Sequence, residues 1–301
     1  MRDRPVPVRA PSSGPRLLLI AAGLGFLLLM VGLPLVSVFF HALDHGWDRF
    51  WRSVTRPDAR QALRLSLEAT FLAVAFNTLF GILAALVLAR RNLPGKTLLL
   101  SLLDLPLSIP PVVAGLMLVL LFGRHGWFGP WCARHGLRVL FAFPGICLAT
   151  AFVSLPYVVR EVLPLLEEVG TSAEEASRVL GGNGWQTFWH VTLPSIRWGL
   201  LYGVLQCAAR CLGEFGAVSV VSGKLIGKTN TLPLHIERMY LEYDTPGAFG
   251  AAIPLVTFAL LTLILQGWLR HRFAGAEAAV PALPVTGSGA RARERLAREP
   301  A

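Results

Sequence analysis

Charged residues are scarce in this 301-residue chain, at 15% of the total, whereas 54% of the residues are hydrophobic and the mean hydropathy is +0.57. This shortage of charge excludes an ordinary soluble domain and indicates a membrane protein. The net charge of +10 does not predict nucleic-acid binding, because the 28 lysines and arginines are scattered at the ends of apolar runs instead of sharing one face.

The sequence also lacks the motifs of catalytic and nucleotide-binding sites. It has no His-Glu-x-x-His zinc motif and no G-x-S-x-G nucleophile motif. The segment GKLIGKT at 223–229 resembles a phosphate-binding loop, but three residues separate its glycines where that loop requires four. The four cysteines have no metal-ligand spacing, and Cys207 and Cys211 are predicted to be small buried thiols. We therefore predict a non-enzymatic chain that holds no metal, cofactor or ATP itself.

Apolar runs long enough to cross a bilayer dominate what is present. A crossing needs ~20 helical residues, and six runs meet that length. They cover residues 17–40, 66–89, 98–122, 144–166, 198–222 and 247–269. We therefore predict an all-α polytopic membrane protein with six transmembrane helices. The first run is too long for a cleaved signal peptide, so we expect it to remain as a span.

The loop charges predict the orientation of the chain. With the N-terminus inside, the inner segments hold sixteen lysines and arginines and the outer segments hold eleven, which favours a cytoplasmic N-terminus and C-terminus. The outer segment 44–65 is rich in arginine and is predicted to form an amphipathic helix on the membrane surface. Residues 1–16 are expected to be a cytoplasmic segment, 17–272 the membrane domain, and 273–301 a disordered cytoplasmic tail.

An organised polar segment, TSAEEASRVLGGNGWQTFWHVTLP at 171–194, lies between the fourth and fifth apolar runs. Thr171 and Ser172 are good helix N-caps, and Glu174 and Glu175 follow each of them at capping-box spacing. Both carboxylates also favour the positive N-terminus of a helix. This pattern predicts a short helix that begins at the threonine and serine.

The rest of the segment predicts a bend and a second short helix. Gly181-Gly182 is expected to end the first helix, since glycine accepts the left-handed C-cap conformation. Asn183, with Gln186 three residues later, is expected to begin the second helix, and Leu193-Pro194 to stop it. The two helices could form an interfacial hairpin with tryptophan at headgroup level, or a rigid knob that enters a groove on a soluble partner.

The spacing of this segment resembles the EAA loop of bacterial ABC importer permeases. That family has E-A-A, three residues, G, nine residues and I-x-L-P. Here Glu175-Ala176-Ser177 is followed at the same intervals by Gly181 and by Val191-Thr192-Leu193-Pro194. The resemblance implies an ABC type I importer permease fold with a coupling loop at about 167–197 that docks on a dimer of cytoplasmic ATP-binding subunits. The coupling residues that it implies are Glu174, Glu175, Ala176, Ser177, Gly181, Leu193 and Pro194.

Three further segments are similar to the sulfate/thiosulfate permeases of the CysW type. They are DLPLSIPPVVAGL at 104–116, WGLLYGVLQCAARCLGEFGAVSVVSG at 198–223 and TNTLPLHIERMYLEYDTPGAFGAA at 229–252. The resemblance implies a bacterial inner membrane location, a second homologous permease chain, a periplasmic binding protein, and ATP used by the partner ATPase. A molybdate/tungstate permease remains an alternative, as does a secondary transporter that uses Arg210 and Glu214 as a coupling pair.

Polar residues inside the apolar runs are candidates for the translocation path. Arg210 and Glu214 are four residues apart, so they share a helix face, and charges in a span normally face the bundle interior or water. They are expected either to contact an oxyanion or to form a buried structural ion pair. Serine hydroxyls could donate to an oxyanion or bond back to a helix carbonyl. Asp104 precedes a proline-broken segment. The candidates are Asp104, Ser108, Arg210, Glu214, Ser219 and Ser222.

Overall fold

The computed structural model describes residues 13–44, 46–91 and 93–277. All regular elements in these ranges are helices, and no strand occurs in them, which confirms the all-α prediction. The predicted cytoplasmic segment 1–16 and the predicted tail 273–301 lie largely outside the described residues. The last helix nevertheless continues to Glu277, beyond the predicted end of the membrane domain at residue 272.

The helices succeed one another with short connections. In chain order they are α1 (Ser13–Leu27), α2 (Leu33–Leu43), α3 (Trp47–Thr55), α4 (Pro57–Arg90), α5 (Lys96–Ser108), α6 (Pro111–Phe122), α7 (Gly129–Arg134), α8 (Phe143–Ser154), α9 (Pro156–Val169), α10 (Ser172–Val179), α11 (Gly184–Thr187), α12 (Leu193–Leu212), α13 (Gly216–Val221), α14 (Leu232–Leu241) and α15 (Thr245–Glu277). Two π-helical turns, Leu28–Gly32 and Phe188–Thr192, join α1 to α2 and α11 to α12.

Five of the six predicted spans correspond to helices that are long and apolar enough to cross a membrane, if one bent pair of helices is counted as a single span. Four are long and apolar enough to cross a bilayer: Leu17–Leu43, Pro57–Arg90, Phe143–Val169 and Thr245–His271. The fifth is the bent pair α5 and α6, whose axes differ by 108° across a short break. Ile109 and Pro110 form that break, and Pro111 begins α6. Each proline removes a helical hydrogen bond and forces the residue before it into an extended conformation.

The remaining predicted span, 198–222, is divided in the structure. It contains most of α12 and all of α13, which are separated at Gly213–Phe215. The 20 residues of α12 include Arg197, Gln206 and Arg210, which lower its mean hydropathy. This helix is therefore not among those that are long and apolar enough to cross a bilayer. A crossing by α12 therefore stays a prediction.

The segment before the second span is helical but shorter than predicted. The expected amphipathic helix over 44–65 ends at Thr55 in the structure, and the spanning helix α4 begins at Pro57 instead of residue 66. Arg56 has an extended conformation (ψ 138°), which separates the two helices, and proline at the first position of α4 fixes the new start. Asp244 holds this region near the start of α15 through ion pairs with Arg49 and Arg56 at 3.5 and 3.3 Å.

A stripe of small residues lets α4 pack closely on its neighbours. Buried residues recur at four-residue intervals along this helix, at Ala69, Ala73, Asn77, Gly81 and Ala85. Small residues of this kind allow helix backbones to approach in membranes, where apolar side chains gain little from leaving lipid. At the glycine, an added Cβ would lie 2.7 Å from a methyl group of Val158 on α9, so the backbone of α4 packs directly against that side chain.

The chain forms two compact units, one ending at Thr262 and one beginning at Leu263. The first unit contains two main clusters of buried apolar residues. One joins α4, α8, α9 and α12, and the other joins α4, α6, α8, α13 and α14. In the second unit, the described residues are entirely helical. The first unit carries all of the predicted site residues.

Candidate functional site

The polar segment after the fourth span contains the two predicted short helices. The first, α10, follows α9 after Gly170, whose φ is +68°. The second begins with α11 and runs through the π-helical turn Phe188–Thr192 into α12. Ser177 in the first helix and Thr187 in the second lie with their hydroxyl oxygens 3.0 Å apart. The two arms are therefore connected directly as well as through the chain between them.

The bend between the arms depends on Gly181. Its φ is +88°, in the left-handed region that favours glycine. The amide groups of Gly181 and Gly182 donate to the carbonyls of Arg178 and Ser177 at 3.0 and 2.9 Å, which closes the end of α10. No other atom lies within 4 Å of the point where a Cβ of Gly181 would be. The requirement for glycine at this position is therefore one of backbone conformation and not of space.

The two predicted capping boxes have different outcomes. The second is confirmed, because Asn183 Oδ1 accepts from the Gln186 amide at 2.8 Å and Gln186 Oε1 accepts from the Asn183 amide at 3.0 Å. The first is wrong, because no side chain caps α10. The Thr171 hydroxyl instead donates to Glu175 Oε1 at 2.7 Å, on the exposed side of the helix.

Glu174 faces inward and forms a buried ion pair with Arg90. The Nη2 and Nε atoms of Arg90 lie 3.0 and 3.1 Å from the two carboxylate oxygens, and Glu174 is only 7% exposed. Arg90 Nη1 also donates to the Leu166 carbonyl at 2.7 Å, and the Thr192 hydroxyl donates to Glu174 Oε1 at 3.0 Å. The carboxylate thus joins α10 to the end of α4 and to the π-helical turn, and Arg90 extends the connection to α9.

Sequence reasoning missed this role of Arg90 and of the glutamate that it binds. The available signal was an arginine at the inner end of the second span, on the same predicted side of the membrane as an acidic loop. Glu174 and Glu175 are adjacent and chemically alike, so their spacing alone does not predict which one turns towards the bundle. The buried pair also removes the reciprocal half of the predicted capping box, since the carboxylate at the third helical position is bound to Arg90 instead of the Thr171 amide.

Leu193-Pro194 does not stop the second arm, which corrects the sequence prediction. The backbone stays helical through Thr192 (φ −69°) and Leu193 (φ −63°), and α12 begins there without an interruption. Proline is tolerated near the first position of a helix, where its missing N–H removes no bond. The π-helical turn just before it is wider than an α-turn, so the proline ring follows without breaking the helix.

The far end of the loop presents apolar side chains to the exterior. Val179 and Leu180 are 87% and 88% exposed, and Trp185 and Trp189 on the second arm are exposed as well. A shallow groove between the arms is lined by residues that include Ala173, Ala176, Ser177, Leu180, Gln186 and His190. An exposed apolar patch of this kind on an ordered loop marks an interaction surface.

Arg210 and Glu214 form the i,i+4 ion pair that their spacing predicts. Arg210 Nη1 lies 2.6 Å from Glu214 Oε2, and the glutamate side chain is 2% exposed. Its other carboxylate oxygen accepts the Ala217 amide at 2.8 Å, at the start of α13. This geometry favours the structural alternative for the glutamate, because both of its oxygens are engaged inside the fold. A role in the path stays a prediction for both residues.

The three candidate serines differ in what their hydroxyls can contact. Ser219 donates to the Gly216 carbonyl at 2.8 Å, which is the helix back-bonding that the sequence offered as an alternative. Ser222 is buried, and its hydroxyl donates to the Thr229 carbonyl across a loop rather than to its own helix. Ser108 is exposed at the end of α5. Their participation in the path also stays a prediction.

Asp104 has a partner that the sequence did not predict. Arg160 of α9 contacts it through Nε, 2.9 Å from Oδ1, and through Nη2, 3.3 Å from Oδ2. A second ion pair, Lys96 to Glu167 at 2.6 Å, joins the same two helices nearer to the coupling loop. The proline-broken helix α5 is therefore fastened to α9 by charges at two levels.

Comparison with known proteins identifies the family. Residues 77–275 match the family described as "Binding-protein-dependent transport system inner membrane component". The chain belongs to this family of permeases. The permease is 51% identical over 255 residues to the sulfate transport system permease protein CysW of Synechocystis sp., covering 85% of this chain and 92% of the relative. It is 39% identical over 254 residues to the CysT sulfate permease protein of Escherichia coli K12, covering 84% and 92% of the two chains.

A solved structure supports the same fold for this permease. A chain from the crystal structure of a bacterial alginate ABC transporter, in complex with an alginate-bound periplasmic protein, aligns with a TM-score of 0.68. The alignment covers 85% of this permease and 92% of that chain at 16% identity. At this identity the likeness concerns the fold, and it confirms the predicted ABC importer permease architecture.

Proposed function

We propose that this permease is a path-forming subunit of an ATP-driven importer for sulfate or thiosulfate. The observation that carries the proposal is the loop Thr171–Pro194, an ordered pair of helices with an exposed apolar end and a buried ion pair at its base. Its relatives named as sulfate transport permeases support the choice of substrate.

The loop has the properties expected of a mechanical coupler. The buried contacts of Arg90 and Glu174 fix its base to α4, to α9 and to the π-helical turn that leads into α12. A movement of the exposed end is therefore transmitted to α4, α9 and α12 as a rigid displacement, not absorbed in a flexible loop. ATP binding by a dimer of cytoplasmic ATP-binding subunits would supply that movement, and ATP is hydrolysed on those partner chains.

The proposal implies three further partners and an orientation. A second homologous permease completes the path, and a periplasmic binding protein delivers the anion. The chain lies in a bacterial inner membrane with its N-terminus, C-terminus and coupling loop on the cytoplasmic side, as the loop charges predict. The lipid bilayer surrounds the exposed apolar faces of the spans.

Reconstituted vesicles test this function and its alternatives together. The complete complex, with ATP inside proteoliposomes and the binding protein outside, is supplied with labelled sulfate, thiosulfate, molybdate or tungstate. We expect ATP-dependent uptake of sulfate or thiosulfate, together with ATP hydrolysis that rises with loaded binding protein. Uptake of molybdate alone would favour the molybdate/tungstate alternative. Uptake without ATP that collapses with the proton gradient would contradict an ABC importer.

A further inference from the structure

The ion pair between Asp104 and Arg160 lies on the surface of the described fold although it belongs to a membrane-spanning region. The side chain of Arg160 is 60% exposed and that of Asp104 is 40% exposed. Arg160 stands nine residues before the end of α9 at Val169, about 13 Å along the helix from its inner end. The other acidic partners in the core, Glu174 and Glu214, are by contrast almost completely buried.

The surroundings of α9 fix the direction in which this pair faces. Val158, Val159 and Val162 are buried in the core of the same chain, so the opposite side of α9 carries Arg160 away from that core. A charged side chain at this depth is costly against hydrocarbon and normally faces a water-filled cavity or another protein chain. Asp104 lies on the helix that breaks at Pro110, and broken helices also line cavities and do not face lipid.

The geometry of the pair leaves one side of the guanidinium available. Asp104 is bound by Nε and Nη2, which is one edge of the planar group. Arginine has five N–H donors, so the other edge keeps donors that point away from the carboxylate. Among the described residues, Arg160 has no other hydrogen-bond or ion partner. Two oxygens of a tetrahedral oxyanion match such an edge, as carboxylate and phosphate oxygens do in bidentate pairs.

Asp104 gives the site a property that a transport path needs. A dianion next to this carboxylate is repelled by it, so the arginine would hold the anion only loosely. A path must bind its ion well enough to admit it and weakly enough to release it. A lone arginine in a low-dielectric site would retain the anion, whereas a paired arginine exchanges it.

We propose that Arg160 contacts the oxyanion on its way through the permease. Asp104 is a positioning residue that orients the guanidinium and weakens its binding of the anion. The proposal rests on the proposed function, because it names the residue of the path that meets the substrate. It also distinguishes this pair from Arg210 and Glu214, whose carboxylate is buried and bound to the start of α13.

A cysteine at position 108 reports on the site. Ser108 is exposed and lies four residues after Asp104 on α5, so it shares that face of the helix. The complete complex with Ser108→Cys is placed in inside-out membrane vesicles and labelled with a negatively charged thiosulfonate reagent. Labelling rates are compared in sodium sulfate and in sodium chloride of equal ionic strength. Their ratio measures protection by sulfate and cancels changes in the basal rate.

The proposal predicts opposite effects for the two partners. We expect sulfate to slow labelling several-fold, and Arg160→Gln to abolish this protection. Asp104→Asn should lower the sulfate concentration that gives half-protection by about tenfold, since the repulsion is removed. Lys96→Gln is the matched control, because it breaks the neighbouring ion pair between the same two helices and should leave protection unchanged.

Each remaining outcome would overturn the proposal. Protection that persists in Arg160→Gln would place the anion elsewhere, and no protection at all would mean that a carboxylate of another chain or bound lipid covers the arginine. Loss of the ATP-binding subunit on purification of both Arg160→Gln and Asp104→Asn would make the pair structural. Sulfate uptake by the unsubstituted complex is measured in parallel. Uptake without protection refutes this inference alone, whereas absent uptake refutes the proposed function.

Discussion

At the residue scale, Gly181 occupies a position of the coupling loop where the backbone conformation favours glycine. Its φ of +88° costs a side-chain-bearing residue about 1–2 kcal/mol, a factor of roughly 5–30 in a two-state population. Gly181→Ala should therefore shift the elbow out of its docked conformation and reduce co-purification of the ATP-binding subunit several-fold. Gly184→Ala is the matched control, since that glycine has no positive φ and equal space around it. Equal retention of the subunit by both variants would contradict the coupling role of the elbow.

Glu174 and Glu175 are neighbours with unequal roles, which leads to a second prediction. Glu174→Gln removes one charge of a buried pair and leaves Arg90 uncompensated, at a cost of about 3 kcal/mol. We expect the loop to detach locally, so that trypsin cleaves faster after the exposed Arg178 in the purified complex. Glu175→Gln is the control, because its carboxylate contacts only the exposed Thr171 hydroxyl in the described structure. Similar cleavage of both variants would show that the Arg90 contact does not hold the loop.

At the element scale, hydropathy predicted where helices occur but not how they are divided. The prolines at 110 and 111 predicted an interruption in the third span, and the structure places a 108° bend there. The apolar run 198–222 did not predict the separation of α12 from α13, because the interruption at Gly213–Phe215 is only three residues long and lies inside that run. The pairing of α5 with α9 was also inaccessible, since Asp104 and Arg160 are 56 residues apart in the chain.

The close approach of α4 to α9 predicts that a larger residue at Gly81 destabilises the permease. A Cβ added at Gly81 would lie 2.7 and 2.8 Å from two carbons of Val158, so Gly81→Ala forces the two helices apart. Overpacking of this kind costs about 1–3 kcal/mol. We expect a lower midpoint for thermal aggregation of the detergent-purified complex. Gly25→Ala in the first span is the control, because its Cβ would meet no atom within 4 Å. An unchanged midpoint for both would mean that the helices adjust without loss.

At the scale of the whole molecule, the family could be predicted from the sequence, whereas the buried and exposed sides of its helices could not. The spacing from Glu175 to Pro194 was sufficient to predict an ABC importer permease, because a coupling loop is a local feature of the chain. The exposed charges of Asp104 and Arg160 acquire meaning only when the buried side of α9 is known. Long-range packing determines that side, and a single sequence does not contain it.

Whether α12 crosses the membrane is a property of the whole molecule that labelling can test. If it does, Val179 in the coupling loop and Tyr240 on α14 lie on opposite sides, and both are well exposed. A membrane-impermeant maleimide should label Val179→Cys only in inside-out vesicles and Tyr240→Cys only in right-side-out vesicles. The unsubstituted chain measures the background from the native cysteines, three of which are buried. Labelling of both positions from the same side would show that α12 and α13 turn back within the membrane, since no other long helix separates the two residues.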